Sequence, residues 1–310
     1  MRQHECYAVS VKFSASGSAY LIQGQEEIIL HNIPGLADIS VYSESEYFVV
    51  YRGISVDSES TVLCKTLKNK YRHSTAAQYL KEEFEIWGAI ESNYVVKVFN
   101  WFLLDDSSPA FLYEDFEAIP ITEIRGIHKL PTAKLLKIAH QIVTALHDIH
   151  REKIIFGPLT PQDILFNPET QKIKLTDLGR AQRIHPNLIC RGLSCSSYQL
   201  PYISPELTGR TNRIIDHRSD FYSLGFCLYQ FFTGSLPFTA RDPGEYIHYH
   251  LAKKPARAQE VENTVPKTVA KILDKLLEKS ADRRYQSSRG ILHDLDYCRA
   301  ELDSKGLSLV

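Results

Sequence analysis

The chain has 310 residues, 44% apolar and 24% charged, which suits one large globular domain or two lobes and excludes a disordered chain. With 36 basic against 37 acidic residues its net charge is −1, so nothing points to a nucleic-acid or membrane partner. Its six cysteines (Cys6, Cys64, Cys190, Cys195, Cys227 and Cys298) form no CxxC pair and lack a matching His/Cys pair, which argues against zinc and fits a reducing, cytoplasmic location.

Residues 7–13 and 20–30 read as two short strands around the turn Ser14-Ala15-Ser16-Gly17-Ser18, within an N-terminal extension over 1–33. No apolar stretch of signal length follows Met1. The pattern stays strand-like from 39 to 67, with a polar turn at Asp57-Ser58-Glu59-Ser60. The cluster Lys65, Lys68, Lys70 and Arg72 reads as a solvated face. The spacing of Leu80, Phe84 and Trp87 predicts a helix ending near Gly88. Strands at 94–102 and 110–116 follow, parted by Asp105-Asp106-Ser107-Ser108.

After residue 120 the period becomes helical. Leu135, Ile138, Ile142, Leu146 and Ile149 recur every three or four residues behind Pro131-Thr132. Short strands at 164–166 and 173–176 flank the turn Asn167-Pro168-Glu169-Thr170. Further helices are predicted at 219–232, 243–252, 266–278 and 287–301. The apolar stretch 221–238 is broken by Ser223, Gly225, Gln230, Thr233 and Gly234, as in a buried helix rather than a membrane span. Strands followed by helices suggest two lobes, 34–117 and 118–303, with a tail at 304–310.

Several motifs stand in a telling order. Val62-Leu63-Cys64-Lys65, then Glu83, then Asp177-Leu178-Gly179, Ser204-Pro205-Glu206, Asp220-Phe221-Tyr222-Ser223-Leu224-Gly225 and Arg284 resemble the strand lysine, helix glutamate, DFG, APE, following helix and late arginine of protein kinases. The resemblance covers about residue 34 to 303 and implies an α+β bilobal fold: a small antiparallel β lobe with one helix and a large, mainly α-helical lobe. Phe166-Asn167-Pro168-Glu169-Thr170 and the run from Ser204 to Arg213 are similar, more narrowly, to the N-terminal kinase-like domain of very large sensor histidine kinases. Members of that group, from cyanobacteria, other bacteria and fungi, usually continue into ATPase, GAF-type and histidine-kinase modules. The chain is therefore expected to be one domain of a longer protein.

Phosphoryl transfer needs cations on the phosphates, hard oxygen ligands for Mg²⁺ and a carboxylate to orient the attacking hydroxyl. The resemblance implies nucleotide binding by Lys65, Glu83, Glu114, Phe116 and Leu165, and metal binding by Asp163 and Asp177. Two alternatives stay open: Asp177 as a turn residue before Gly179, and Asp163 as a structural carboxylate bonding nearby backbone N–H groups. With no cation, repulsion between these two acids would be unfavourable.

The catalytic carboxylate is missing. The segment that should read HRDxxxxN is Phe156-Gly157-Pro158-Leu159-Thr160-Pro161-Gln162-Asp163, so no catalytic residue is assigned and Pro158 holds the catalytic-aspartate position. Proline has no ionisable group. General-base assistance is worth about 10²–10⁴ in rate, or roughly 3–5 kcal/mol of barrier. The family's neighbouring lysine and activation-segment threonine are Thr160 and Gln199. The three glycine-loop positions hold Ser43, Ser45 and Phe48, with Glu44 and Glu46 adding negative charge, while Leu63 and Tyr113 are bulky beside the adenine and hinge positions.

The resemblance and these losses imply a cytoplasmic pseudokinase, a regulatory or scaffolding domain in signal transduction such as a two-component system. ATP and Mg²⁺ are expected to bind weakly or not at all. The expected partner is another protein or adjacent domains of the same polypeptide. A residual Ser/Thr phosphotransferase and a non-catalytic nucleotide-sensing switch are the alternatives.

Overall fold

The computed structural model describes residues 10–13, 19–23, 26–29, 33–184 and 196–304. The chain divides into two compact units, 1–85 with 97–115, and 86–96 with 116–310. Cys6, Cys190, Cys195 and the turn at 14–18 lie outside the described residues, while Cys64, Cys227 and Cys298 are buried free thiols.

The first unit opens with a three-stranded antiparallel sheet of β1 (Ser10–Phe13), β2 (Ala19–Gln23) and β3 (Glu26–Ile29). The predicted strand over 20–30 is thus two strands. A five-stranded antiparallel sheet follows: β4 (Leu36–Glu44), β5 (Phe48–Ser55), β6 (Thr61–Leu67), β7 (Val98–Leu103) and β8 (Pro109–Glu114), ordered β4-β5-β6-β8-β7. Alternation gives the sheet two different faces. Val49, Tyr51, Val62, Cys64 and Ala110 form one core layer with Ile33 and Leu36. On β6, Leu63 and Lys65 take the opposite parity. Helix α1 (Ala76–Gly88) brings Phe84 within 5.7 Å of Phe111 and 5.6 Å of Trp101, measured between ring centroids.

The expected strand over 94–102 is divided. Val96 N–H donates to the Leu175 carbonyl and Leu175 N–H to the Tyr94 carbonyl, so 94–96 lies in the second unit and the ladder begins at Val98. Trp87 Nε1–H fastens the same stretch through the Val96 carbonyl. Backbone groups there find partners outside the five-stranded sheet, and the strand stops where they do.

The second unit contains β9 (Ile119–Pro120), α2 (Thr132–Arg151), β10 (Ile154–Ile155), β11 (Ile164–Asn167), β12 (Lys172–Leu175) and β13 (Gln182–Arg183). Then come α3 (Arg218–Thr233), α4 (Pro243–Ala252), α5 (Ala258–Val261), α6 (Lys267–Leu276) and α7 (Ser288–Ser304). Helix α3 is buried nearly all round, from Phe221 to Phe232. Each such large apolar side chain contributes about 1.5–3 kcal/mol when fully buried. A Cβ at Gly225 would stand 2.9 Å from the Leu276 Cβ, so α3 and α6 pack at a separation only glycine allows. Among the described residues no helix is long and apolar enough to cross a membrane.

Candidate functional site

The candidate residues divide between the two units. In the first, the half-buried Lys65 and the buried Glu83 form an ion pair, Nζ lying 2.7 and 2.8 Å from the two carboxylate oxygens. Glu83 interrupts the apolar stripe of α1 between Leu80 and Trp87, and a buried carboxylate there requires a cation. The register pairs Val50 with Lys65 and Phe48 with Leu67, so Phe48 is the diagonal neighbour of Lys65 on one face. The ammonium lies 4.7 Å from the centroid of the Phe48 ring.

The stretch expected to be a glycine loop is a tight hairpin. Ser45 N–H donates to the Phe48 carbonyl at 2.9 Å, and Phe48 N–H donates to Ser45 Oγ at 3.1 Å. Lys68 Nζ reaches Glu44 at 2.8 Å, and the Tyr47 ring lies 4.8 Å from that of Tyr71. Arg72 reaches Asp106 at 2.7 Å, so the basic cluster expected to be one solvated face is largely engaged in ion pairs.

Glu114 closes β8. Its carboxylate accepts from Lys97 N–H at 3.1 Å, and Asp115 accepts from Arg52 Nε at 2.5 Å. In the second unit, Phe116 lies beneath the Lys174 ammonium at 5.0 Å and Leu165 pairs with Lys174 and Pro120.

The loop carrying Pro158 is fixed from both sides. Asp220, on α3, accepts the backbone N–H of Phe156 and of Gly157, each at 2.9 Å, and His150 Nε2–H at 2.7 Å. Downstream, Thr160 donates its N–H and its hydroxyl to Asp163 Oδ2 at 2.8 and 3.0 Å. Pro158 is buried between these anchors. Asp163 thus has the backbone contact that one sequence alternative required.

Sequence reasoning missed Arg180. Its two terminal nitrogens each lie 3.1 Å from a carboxylate, one from Asp163 Oδ1 and the other from Asp177 Oδ2. Asp177 takes a left-handed φ of 59°, and Ala181 N–H donates to the Leu178 carbonyl, a turn that folds Arg180 back over Asp177. The antiparallel pair β10–β13 runs this segment beside the Pro158 loop. Gly157, at φ 98°, makes room: a Cβ there would meet the Arg180 carbonyl oxygen at 3.2 Å. Burial outweighs the pull of Arg180 and the Thr160 donors and pushes Asp163 up to about 7. The only sequence signal was a basic residue three positions after Asp177.

Gln199 turns into its own segment, its Oε1 accepting Ser196 N–H and Oγ–H, each at 2.9 Å. Arg284 is fully buried, its guanidinium bridging both oxygens of Glu206 and donating from Nε to the Glu278 carbonyl at 2.8 Å. Among the described residues no cluster of three or more His, Cys, Asp or Glu side chains is arranged to hold a metal ion.

Residues 44–295 match the family model of the protein kinase domain. Over 137 residues the chain is 47% identical to hybrid signal transduction histidine kinase G of Dictyostelium discoideum, covering 44% of the chain and 4% of that protein. It is 32% identical over 179 residues to histidine protein kinase 1 of Candida albicans, covering 55% of the chain and 7% of that protein. A probable serine/threonine-protein kinase of Clostridium perfringens is 28% identical over 240 residues, 76% of the chain and 34% of that protein. The chain thus spans no more than about a third of the length of these relatives.

Proposed function

Because the chain belongs to the protein kinase domain family, we propose that it is a pseudokinase module, a domain that regulates or scaffolds signalling without transferring phosphate. One observation carries this reading: Pro158, at the catalytic-aspartate position, lies in a backbone clamped by Asp220 on one side and by the Thr160–Asp163 contact on the other. The two carboxylates that the resemblance assigns to metal, Asp163 and Asp177, are both engaged by Arg180. Asp163 also accepts from the Thr160 N–H and hydroxyl, and neither acid stands at the catalytic-aspartate position, which Pro158 holds. The contacts that keep the large lobe together, Asp220 with the loop and Glu206 with Arg284, are complete. A scaffold preserved around a lost reaction centre is what a binding domain requires.

The module works within a longer cytoplasmic signalling protein, and its partner is an adjacent domain or a second signalling protein. Two of its relatives are named as histidine kinases and are many times longer than the aligned segment. Incubation with radiolabelled ATP and Mg²⁺ or Mn²⁺ tests the reading. Wild type should incorporate no more label than Asp177→Ala; incorporation abolished by Asp177→Ala would end it.

The Lys65–Glu83 pair favours a second reading, a nucleotide-sensing switch without catalysis. Thermal shift with ATP separates the two. A saturable rise lost in Lys65→Met supports sensing, and no rise leaves pure scaffolding.

A further inference from the structure

Mg²⁺ requires oxygen ligands at about 2.0–2.1 Å in near-octahedral order. The two carboxylates that the kinase resemblance assigns to it hold a guanidinium instead, with nitrogens 3.1 Å from each. We infer that Arg180 is the resident cation of this site, taking the place of a divalent metal, so that the protein does not use Mg²⁺ at Asp163 and Asp177.

Three observations carry this. The guanidinium spans the pair, one nitrogen to each carboxylate, and supplies the positive charge that a bridging metal would bring. The backbone is shaped for the contact: Asp177 at φ 59° turns the chain, and Gly157 at φ 98° lets the Arg180 segment approach. Arg180 Nε is buried without a hydrogen-bond partner, a cost the two charged contacts offset. A guanidinium keeps its charge across the physiological pH range.

The inference deepens the pseudokinase reading and rests on it only for the claim that no transfer step needs the metal. It is tested by Mn²⁺ binding, followed through the electron paramagnetic resonance signal of the free ion, with nucleotide absent. Wild type should show no saturable site at millimolar Mn²⁺. R180A should bind at least about ten-fold more tightly, equivalent to about 1.4 kcal/mol, and R180A/D177N should lose that gain. Far-UV circular dichroism checks the fold, and R180Q serves if R180A does not fold. Wild type binding Mn²⁺ as tightly as the variant, or neither R180A nor R180Q gaining a site, overturns the inference. Phosphate incorporation by wild type would instead overturn the pseudokinase reading, whatever the metal result.

Discussion

Asp220 and Asp163 are both buried carboxylates that fasten the loop around Pro158, yet their donors differ. Asp220 is met by two backbone amides and a histidine, Asp163 by a guanidinium as well as by Thr160. The first arrangement fixes chain geometry whatever the ligand. The second settles a charge imbalance that a ligand could otherwise have settled. One region preserves shape; the other balances its acids with an internal guanidinium.

The largest expected effect is on the shape-keeping side. Asp220→Ala strips the partner from two buried amides and should destabilise the protein by about 3–5 kcal/mol, read by urea denaturation. A loss below about 1 kcal/mol would mean the clamp is ornamental.

Next comes a pH effect. His250 is buried among Phe226, Phe238 and Tyr222. Its Nε2–H donates to the Leu200 carbonyl at 2.8 Å, and Nδ1 faces the Tyr222 hydroxyl, which in turn meets the Lys279 ammonium at 2.8 Å. Burial lowers its pKa from 6.5 to about 3. The unfolded chain therefore takes up a proton below about 6.5 that the folded chain refuses until about 3. This contribution is complete above 6.5 and is lost as pH falls through that window. The difference between wild type and His250→Gln in denaturant midpoint should shrink between pH 7 and pH 4; a constant difference would contradict the neutral assignment.

Gly225→Ala should cost about 1–3 kcal/mol by forcing α3 from α6, visible as a lower melting temperature. The smallest expected effect sharpens the comparison most: Pro158→Asp should restore no phosphate transfer, because Arg180 still occupies Asp163 and Asp177. Label incorporation by that variant would mean one residue alone had silenced the domain.

The parts fixed by local pattern were legible in the sequence. The Lys65–Glu83 and Glu206–Arg284 pairs join residues that the kinase-like motifs had singled out. Helix α4 has its predicted bounds, set by the Asp242 cap, which accepts Glu245 N–H, and by Pro243 at its start. What escaped depended on backbone shape between elements. Phe48 meets Lys65 only because β5 and β6 pair in one register. Arg180 reaches both acids only through a left-handed turn and a glycine in another segment. The strand expected over 94–102 divides because the Leu175 backbone and the Trp87 indole N–H outcompete the sheet.

Gly157 has one more consequence, for history rather than energy. An arginine at that position would need a left-handed backbone that side chains resist and would push against the carbonyl of Arg180. Restoring an arginine there would therefore require the Arg180 segment to shift as well.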